Sequence, residues 1–294
     1  MNKSREQRAV EESKDRLEPT EILPDPRTHD PGAVWARYSR YEGRKCEALT
    51  PLGHSTPRSD QMIRFVCISD THNQLDKIDI PPGDILLHAG DFSFGGRRQE
   101  VVKFNELLGK LPHKYKIVIA GNHELSFGES SRKKDRKKEK PRDDPRSWLT
   151  NCIYLEDSMT EVFGYTVYGA PWQPEFMGWA FNLPRGQPLL DKWNQIPSGV
   201  DILITHGPPL GHGDRTRYGE LVGCVELLNS IEKRIKPKYH VFGHIHEGYG
   251  CTTNGETVFI NPSICTVSYR PTNLPVIFDL PVKDGKGKGG SLET

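Results

Sequence analysis

The chain has 294 residues, enough for one large domain or two small ones. Its 40 lysines and arginines nearly balance its 39 aspartates and glutamates, and the net charge of +1 excludes a global field that would attract nucleic acid or an anionic membrane. No stretch approaches the ~20 apolar residues of a transmembrane helix, and the charged N-terminus lacks the apolar core of a secretory signal, so we expect a cytoplasmic protein, with a nuclear location left open.

The first 62 residues contain no apolar run and no clear helical or strand period. We predict that residues 1–62 form a charged N-terminal extension, either disordered or draped over a domain, with a weak helical pattern at 5–18. Apolar runs begin at residue 63 and end near residue 281, which predicts one domain over 63–281. We predict that residues 282–294 form a flexible tail.

From residue 63 the chain alternates short apolar runs with loops and one stretch of helical spacing. Strands are predicted at 65–69, 84–89 and 115–120, with a helix over 97–111. This order predicts an α/β fold whose sheet begins as largely parallel. Residues 129–147 then mix basic and acidic residues with two prolines; a nucleic-acid or localisation patch is one interpretation, and a solvated surface insert is the favoured one.

The second half of the chain continues the same alternation. In order, it predicts a hairpin within 153–168, a strand over 201–206, a helix over 224–235, a strand over 239–242, and antiparallel strands at 257–260, 266–269 and 275–280. An aromatic-rich loop after the hairpin carries Trp172, Trp179, Phe181 and Asn182. These side chains could stack a nucleobase beside a site, or they could form a hydrophobic lid or core plug, and both interpretations stay open.

Polar residues follow five of these strands at the carboxyl end, where open α/β sheets bind ligands. They are Asp70 and His72, Asp91, Asn122 and His123, His206, and His244 and His246. Three oxygen ligands and up to five imidazoles are too many for one metal ion and suit two. Four other histidines have no neighbouring polar residue of this kind, and we expect them to occupy ordinary surface or core positions. They are His88, His113, His212 and His240.

Two of these polar ends also have simpler interpretations. Asn122 could make only a turn, and His206 before Gly-Pro-Pro could cap a loop. Gly-His-x-His at 243–246 is harder to explain structurally, because two imidazoles at i, i+2 after a buried strand have little packing value. The coincidence of all five polar ends therefore favours a metal site.

The motifs Asp-x-His, Gly-Asp, Gly-Asn-His-Glu, a lone His after a strand and Gly-His-x-His occur in this order. Their order resembles the calcineurin-like metallophosphoesterases, and the resemblance covers residues 63–281. The surrounding segments, such as YKIVIAGNHEL, THGPPLG and VFGHIHEGYG, are similar to the metallophosphoesterase domain-containing proteins, a branch related to class III cyclic nucleotide phosphodiesterases. The resemblance implies an α/β fold, a β-sandwich flanked by helices, with a dinuclear metal site at the strand ends.

The resemblance also implies a role for each polar residue. One metal ion would be held by Asp70, His72, Asp91 and His246, and the other by Asp91, Asn122, His206 and His244. His123 is left beside the metals, and the family uses that residue to protonate the leaving group. Both ions are expected to be divalent, with manganese preferred and iron, zinc or magnesium as alternatives.

These residues predict a metal-dependent phosphoesterase. The expected substrates are small nucleotide phosphodiesters, including cyclic ones. A metal-bound hydroxide would cleave them, with His123 as general acid. A phosphomonoesterase or protein phosphatase is the alternative among enzymes, and a non-catalytic interaction module on the same fold is the alternative outside them. The expected partner is a small phosphoester, with no membrane; a nucleic acid is disfavoured by the near-zero net charge.

Overall fold

The computed structural model describes residues 22–128 and 143–283. The helical pattern predicted at 5–18, most of the charged insert and nearly all of the predicted tail lie outside these residues. No helix within the described ranges is long and apolar enough to cross a membrane.

The described residues form an α/β structure in which strands outnumber helices. The helices are α1 (Pro31–Tyr41), α2 (Arg98–Lys110), α3 (Gln187–Trp193) and α4 (Val225–Ser230). The strands of the first half are β1 (Glu47–Leu49), β2 (Met62–Ile68), β3 (Ile85–His88), β4 (Tyr115–Val118), β5 (Ile153–Tyr154), β6 (Ser158–Val162) and β7 (Tyr165–Ala170). The strands of the second half are β8 (Gln173–Pro174), β9 (Asn182–Leu183), β10 (Ile202–Thr205), β11 (Tyr239–Val241), β12 (Gly250–Thr253), β13 (Val258–Asn261) and β14 (Val276–Pro281).

Within the described ranges, two large sheets form a sandwich. One sheet has the order β14-β2-β3-β4-β5, in which β2 to β5 run parallel and β14 lies antiparallel to β2. The other has the order β1-β12-β13-β11-β10-β7-β6, with a parallel centre of β7, β10, β11 and β13. Parallel strands direct their carboxyl ends to one edge of a sheet, so the two parallel sets can build one site together.

Successive side chains along each strand point to opposite faces of its sheet, and apolar side chains are buried on both faces. On β2, Phe65 and Cys67 belong to the core between the two sheets, whereas Val66 and Ile68 face the layer that contains α2. Leu203 on β10 likewise packs outward, on the side of α3 and α4. Because both faces of the parallel strands are buried, their sequences are continuous apolar runs. The α/β sandwich flanked by helices that the sequence predicted is confirmed.

The N-terminal segment contains structure that the sequence analysis did not predict. Helix α1 begins after Asp30, whose side chain accepts a hydrogen bond from Ala33 N at 3.0 Å. Val34 and Tyr38 are buried against Leu210 and the start of α4, and β1 pairs with β12. Helix α1 therefore packs against the domain, and β1 extends the edge of the seven-stranded sheet.

The chain after β13 differs from its sequence prediction. The strand predicted at 266–269 is wrong, because these residues form a turn in which Tyr269 N donates to Thr266 O at 2.8 Å. Tyr269 has φ +56°, and this left-handed conformation cannot continue a strand. Strand β13 is also parallel to β11, so it is antiparallel only to β12, a strand that the sequence analysis missed.

Candidate metal centre

The carboxyl ends of β2, β3, β4, β10 and β11 meet at one edge of the sandwich and bring all eight predicted site residues together. Three overlapping groups of metal-binding side chains result. They are Asp70, His72 and His246; His72, Asp91 and His123; and Asp91, His206 and His244. In each group the ligand atoms lie within 4.8 Å of one another, and Asp91 is common to two groups. The four other histidines noted in the sequence are buried and belong to none of these groups.

The first group contains a close approach between two imidazoles. His72 Nε2 lies 3.3 Å from His246 Nε2, and His246 Nε2 lies 3.5 Å from Asp70 Oδ1. His72 Nδ1 lies 3.3 Å from Ser93 O and His246 Nδ1 lies 3.0 Å from Thr266 O. When each Nδ1 donates its proton to its backbone carbonyl, the Nε2 atom of the neutral ring presents a lone pair to the group.

The group of Asp91, His206 and His244 repeats this arrangement. His206 Nδ1 lies 2.8 Å from Ala89 O, and its Nε2 lies 2.9 Å from Asn122 Oδ1 and 3.3 Å from Asp91 Oδ2, so in the neutral ring that donates from Nδ1 the Nε2 lone pair faces both oxygens. In both groups, atoms that accept hydrogen bonds face each other at short distance. Two acceptors approach this closely only when a cation lies between them, either a proton or a metal ion. The donor set of carboxylate, amide and imidazole therefore suits a divalent transition metal in each group.

Left-handed backbone directs four of these side chains into the centre. Asp70, His72, Asp91 and His244 have φ values of +52°, +40°, +55° and +68°. Such conformations are uncommon for residues with a side chain and concentrate at functional sites, where the surrounding structure holds the strain. The sequence motifs thus reflect sharp turns that start directly after each strand.

Two glycines allow these turns to approach one another. A Cβ atom on Gly243 would collide with the Ser69 side chain and the Asp70 carboxylate, and a Cβ on Gly121 would collide with Asp91 and His206. Only a residue without a side chain lets the backbone pass this close. Both glycines therefore belong to the construction of the metal centre.

Burial and opposite charge shift the pKa values of the centre in a consistent way. Burial opposes protonation of His206 and His246, but the Asp91 and Asp70 carboxylates raise the pKa of each imidazole to about 9. Burial lowers the pKa of His72 to about 4 and that of His244 to about 3. The pKa of both aspartates is lowered by the neighbouring imidazoles, although burial opposes this shift. The centre therefore keeps its carboxylates ionised, which a cation site requires.

Glu124 and Ser263 also hold the centre, and the sequence analysis assigned neither a role. Glu124 is fully buried, and its carboxylate accepts hydrogen bonds from Asp91 N, Ser93 N, Ser93 Oγ and Gly121 N at 2.6–3.0 Å. It therefore joins the loops after β3 and β4. Burial and Asp91 raise the pKa of Glu124 to about 8. The adjacency of an acid to Asn-His was a usable sequence signal.

Ser263 shapes the other side of the centre. Its Oγ lies 2.7 Å from Asp70 Oδ2 and 2.7 Å from Asn261 Oδ1, and its backbone N–H donates to Asn261 Oδ1 at 3.1 Å. Because the backbone N–H already satisfies the amide oxygen, the hydroxyl proton is available to the carboxylate. No sequence signal marked Ser263, since Asp70 lies 193 residues away along the chain.

A cavity of about 560 Å³ opens above the metal centre. Its lining includes the site residues Asp91, Asn122, His123, His244 and His246, the aromatic residues Phe176, Trp179, Tyr218 and Tyr269, and the charged residues Glu175, Arg185, Glu220 and Glu247. The Trp179 ring centroid lies 4.6 Å from that of His123, and the Phe176 centroid lies 5.6 Å from that of His244. Aromatic side chains thus form walls directly beside the candidate ligands.

The four residues singled out on the aromatic loop divide between the two interpretations. Trp179 lines the cavity. Trp172 and Phe181 are buried against each other with ring centroids 5.5 Å apart, so both act as core plugs. Asn182 Nδ2 donates to Phe176 O at 2.5 Å and supports the loop that carries Phe176.

Known proteins share this sequence over most of its length. Residues 63–248 match the family model of the calcineurin-like phosphoesterases. The chain is 52% identical over 255 residues to metallophosphoesterase domain-containing protein 1 of Homo sapiens, an alignment that covers 82% of this chain and 78% of the relative. The Mus musculus protein of the same name gives the same values. UPF0046 protein C25E10.12 of Caenorhabditis elegans is 48% identical over 277 residues, covering 91% of this chain and 98% of the relative.

The resemblance stated from the motifs is therefore confirmed, and the centre at the strand ends lies almost entirely within the matched residues. The aspartates and histidines that cluster there are of the kind that hold divalent metal ions. The chain belongs to the calcineurin-like phosphoesterase family, whose members are metal-dependent phosphoester hydrolases.

Proposed function

We propose that the protein is a phosphodiesterase that hydrolyses small nucleotide phosphodiesters, including cyclic ones. The observation that carries the proposal is the pair of acceptor-lined groups beneath an aromatic-walled cavity, joined to each other by the group of His72, Asp91 and His123. A cavity of about 560 Å³ is of the size that small ligands occupy. The concave shape of the cavity favours a small ester as the substrate rather than a phosphorylated side chain on the surface of a folded protein.

The proposed metal ligands follow the two groups. Asp70, His72, Asp91 and His246 would hold one divalent ion, and Asp91, Asn122, His206 and His244 would hold the second, with manganese the expected metal. When bound, such a pair supplies Lewis-acid stabilisation of the phosphoryl oxygens and an activated water. The protein's own part is to fix the ring orientations through the Nδ1 hydrogen bonds and to keep both carboxylates ionised.

We propose that His123 is the general acid. Its Nδ1 lies 3.1 Å from Phe94 O, which orients the ring, and its Nε2 lies 3.9 Å from Asp91 Oδ2. An imidazolium held there would donate its Nε2 proton to the leaving alcohol. His123 also groups with His72 and Asp91, so its alternative role is that of a metal ligand, and a variant experiment separates the two roles.

The nucleotide part of the proposal rests on the cavity walls. Phe176 and Trp179 stand on one side, with ring centroids 6.1 Å apart, and Tyr269 stands over His72 with centroids 4.8 Å apart. Stacking of a base on an aromatic ring is worth ~1–3 kcal/mol per base. The nucleoside part of the substrate would be bound between these walls by its base, while the phosphate of the ester meets the metal centre.

We propose a catalytic domain over 63–281, with the extension before it, the charged insert at 129–147 and the tail after 281. A cytoplasmic or nuclear location stays a prediction from the sequence.

A substrate screen tests the proposed function. Metal-free protein would be reloaded with manganese, magnesium, iron or zinc and assayed on cyclic nucleotides, linear nucleotide diesters and the matching nucleoside monophosphates. We expect the highest kcat/KM for a nucleotide diester with manganese. Preference for monoesters would support the phosphomonoesterase alternative, and the absence of any hydrolysis by metal-loaded protein would support a non-catalytic module.

A further inference from the structure

Tyr269 occupies an unusual place beside the metal centre. Its ring centroid lies 4.8 Å from that of His72, 5.9 Å from that of His246 and 6.3 Å from that of His123, and it stands nearly perpendicular to all three. The residue lines the cavity and is 40% exposed, so the space above the centre can reach it. It lies outside the segment matched by the family model, which ends at residue 248.

The backbone at Tyr269 is held in a left-handed conformation, with φ +56°. This conformation is uncommon for a bulky aromatic residue, and in this chain Phe163 and Phe181 also adopt it. Tyr269 N donates to Thr266 O at 2.8 Å, and Gln74 Nε2 donates to Tyr269 O at 2.8 Å. Thr266 O also accepts the proton of His246 Nδ1 at 3.0 Å. The turn is therefore tied to the metal centre on one side and to residue 74 on the other.

Strain that is held from two sides points to a positional requirement. Burial in the core does not account for it, because the residue is 40% exposed. The phenol is the one polar group of this side chain. Among the described residues it has no hydrogen-bond partner, in contrast to Tyr249, whose hydroxyl donates to Leu274 O at 2.9 Å.

We propose that the Tyr269 hydroxyl donates a hydrogen bond to a phosphate oxygen of the bound ester, which makes Tyr269 a further substrate-contacting residue. The inference rests on the proposed function, since it places the phosphoryl group over the first metal-binding group. A neutral phenol is a donor to an anionic oxygen, and its ring simultaneously covers His72 and shields that contact from water. The turn at 266–270 then exists to present this hydroxyl.

The experiment compares Tyr269→Phe with wild-type protein, both loaded with manganese. Inorganic phosphate is the probe, and its Kd is measured by calorimetry, so the readout does not depend on turnover. Tyr249→Phe is the matched control, because it removes a nearby phenol that lies outside the cavity. Metal content and the thermal midpoint of each protein are measured alongside, and hydrolysis of a nitrophenyl phosphodiester is recorded in parallel.

We expect Tyr269→Phe to keep the wild-type metal content and to bind phosphate about tenfold more weakly, as the loss of a hydrogen bond to a charged group predicts. Tyr249→Phe should bind phosphate as the wild type does. A phosphate Kd for Tyr269→Phe within twofold of wild type would overturn the proposal, as would loss of a metal ion from that variant. If wild-type protein binds phosphate but hydrolyses no diester, the proposed function fails, and the phosphate comparison still decides the role of Tyr269.

Discussion

His72 Nε2 and His246 Nε2 face each other at 3.3 Å, although both rings already donate their Nδ1 protons to backbone carbonyls. Neither ring has a second proton in its neutral form, so the contact is unfavourable without a cation. The two residues lie 174 positions apart and come from opposite sheets of the sandwich. A metal ion between them would therefore join the two sheets as well as serve catalysis.

Removal of metal should lower both activity and stability. Chelation should abolish phosphoester hydrolysis, and added manganese should restore it. Because the ions bind only the folded protein, manganese at 100 times its Kd should raise the free energy of unfolding by ~2.7 kcal/mol. Denaturant unfolding of chelated and reloaded protein measures this difference. Equal stability with and without manganese would contradict a metal centre that bridges the two sheets.

His123→Ala and His244→Ala should differ in metal content and in substrate dependence. We expect His123→Ala to keep two metal ions per chain and to lose ~10²–10⁴-fold in rate on a nucleoside ester, since a general acid contributes about this much. The loss should be smaller on a nitrophenyl ester, whose acidic leaving group needs no proton. His244→Ala should lose one ion and be impaired on both esters.

Metal analysis by plasma emission and steady-state kinetics on both esters make this comparison. Loss of a metal ion from His123→Ala, or equal impairment on the two esters, would show that the acid role is wrong. His123 would then be assigned to the metal-binding group that it forms with His72 and Asp91.

Glu124→Gln should loosen two loops of the centre at once. The substitution places an amide nitrogen against backbone N–H donors that now meet the oxygens of the Glu124 carboxyl group. We expect a loss of ~1–3 kcal/mol in the free energy of unfolding for the unsatisfied buried groups. Metal affinity should fall ~10–100-fold, as is usual when a partner behind the ligands is removed.

Calorimetric titration with manganese and denaturant unfolding test both effects of Glu124→Gln. Glu106→Gln on the exposed side of α2 is the control, and it should change neither quantity. Manganese affinity within threefold of wild type would show that Glu124 stabilises the fold without orienting Asp91.

Deletion of residues 1–62 should destabilise the protein. From the sequence alone the extension is expected to be dispensable for catalysis, because it contains no predicted ligand. The structure buries Val34 and Tyr38 against Leu210, Val225 and Leu228, so deletion exposes an apolar surface. We expect a lower thermal midpoint and a tendency to aggregate. An unchanged midpoint and sedimentation profile would restore the simpler prediction.

Asp25→Asn should weaken the attachment of α1 in a pH-dependent way. Burial disfavours the charge, but hydrogen bonds from Arg27 N, Arg37 and Tyr38 hold the pKa of Asp25 below its ordinary value. The stabilisation is therefore present above the unfolded pKa of ~3.9 and is lost as the pH falls through the lower folded value. The difference in unfolding free energy between wild type and variant should shrink on acidification.

Guanidinium titrations between neutral pH and pH 3 measure this difference. Asp60→Asn, an exposed carboxylate on the loop before β2, is the control and should show little pH-dependent change. A difference for Asp25→Asn that grows on acidification would contradict the assigned direction of the pKa shift.

The sequence by itself determined the strands that carry the candidate site and the side chains at their ends. Apolar runs such as 65–68 are buried on both faces, and this double burial is what produces an uninterrupted hydrophobic pattern. Asp70, Asp91 and His206 could be picked out because each follows such a run within two residues. Local patterns of this kind are sufficient when the residues involved are adjacent in the chain.

Only the tertiary structure decided which distant groups complete the centre. Tyr269 reaches it from the turn at 266–269, which the sequence pattern presents as a strand, and Ser263 reaches it from the segment before that turn. Their positions depend on contacts with Asp70, Gln74 and His246. Helix α1 escaped prediction for a similar reason: its few apolar residues are buried by Leu210 and α4, which lie far away along the chain. Such elements are stabilised by long-range packing, which leaves no periodic signal in the local sequence.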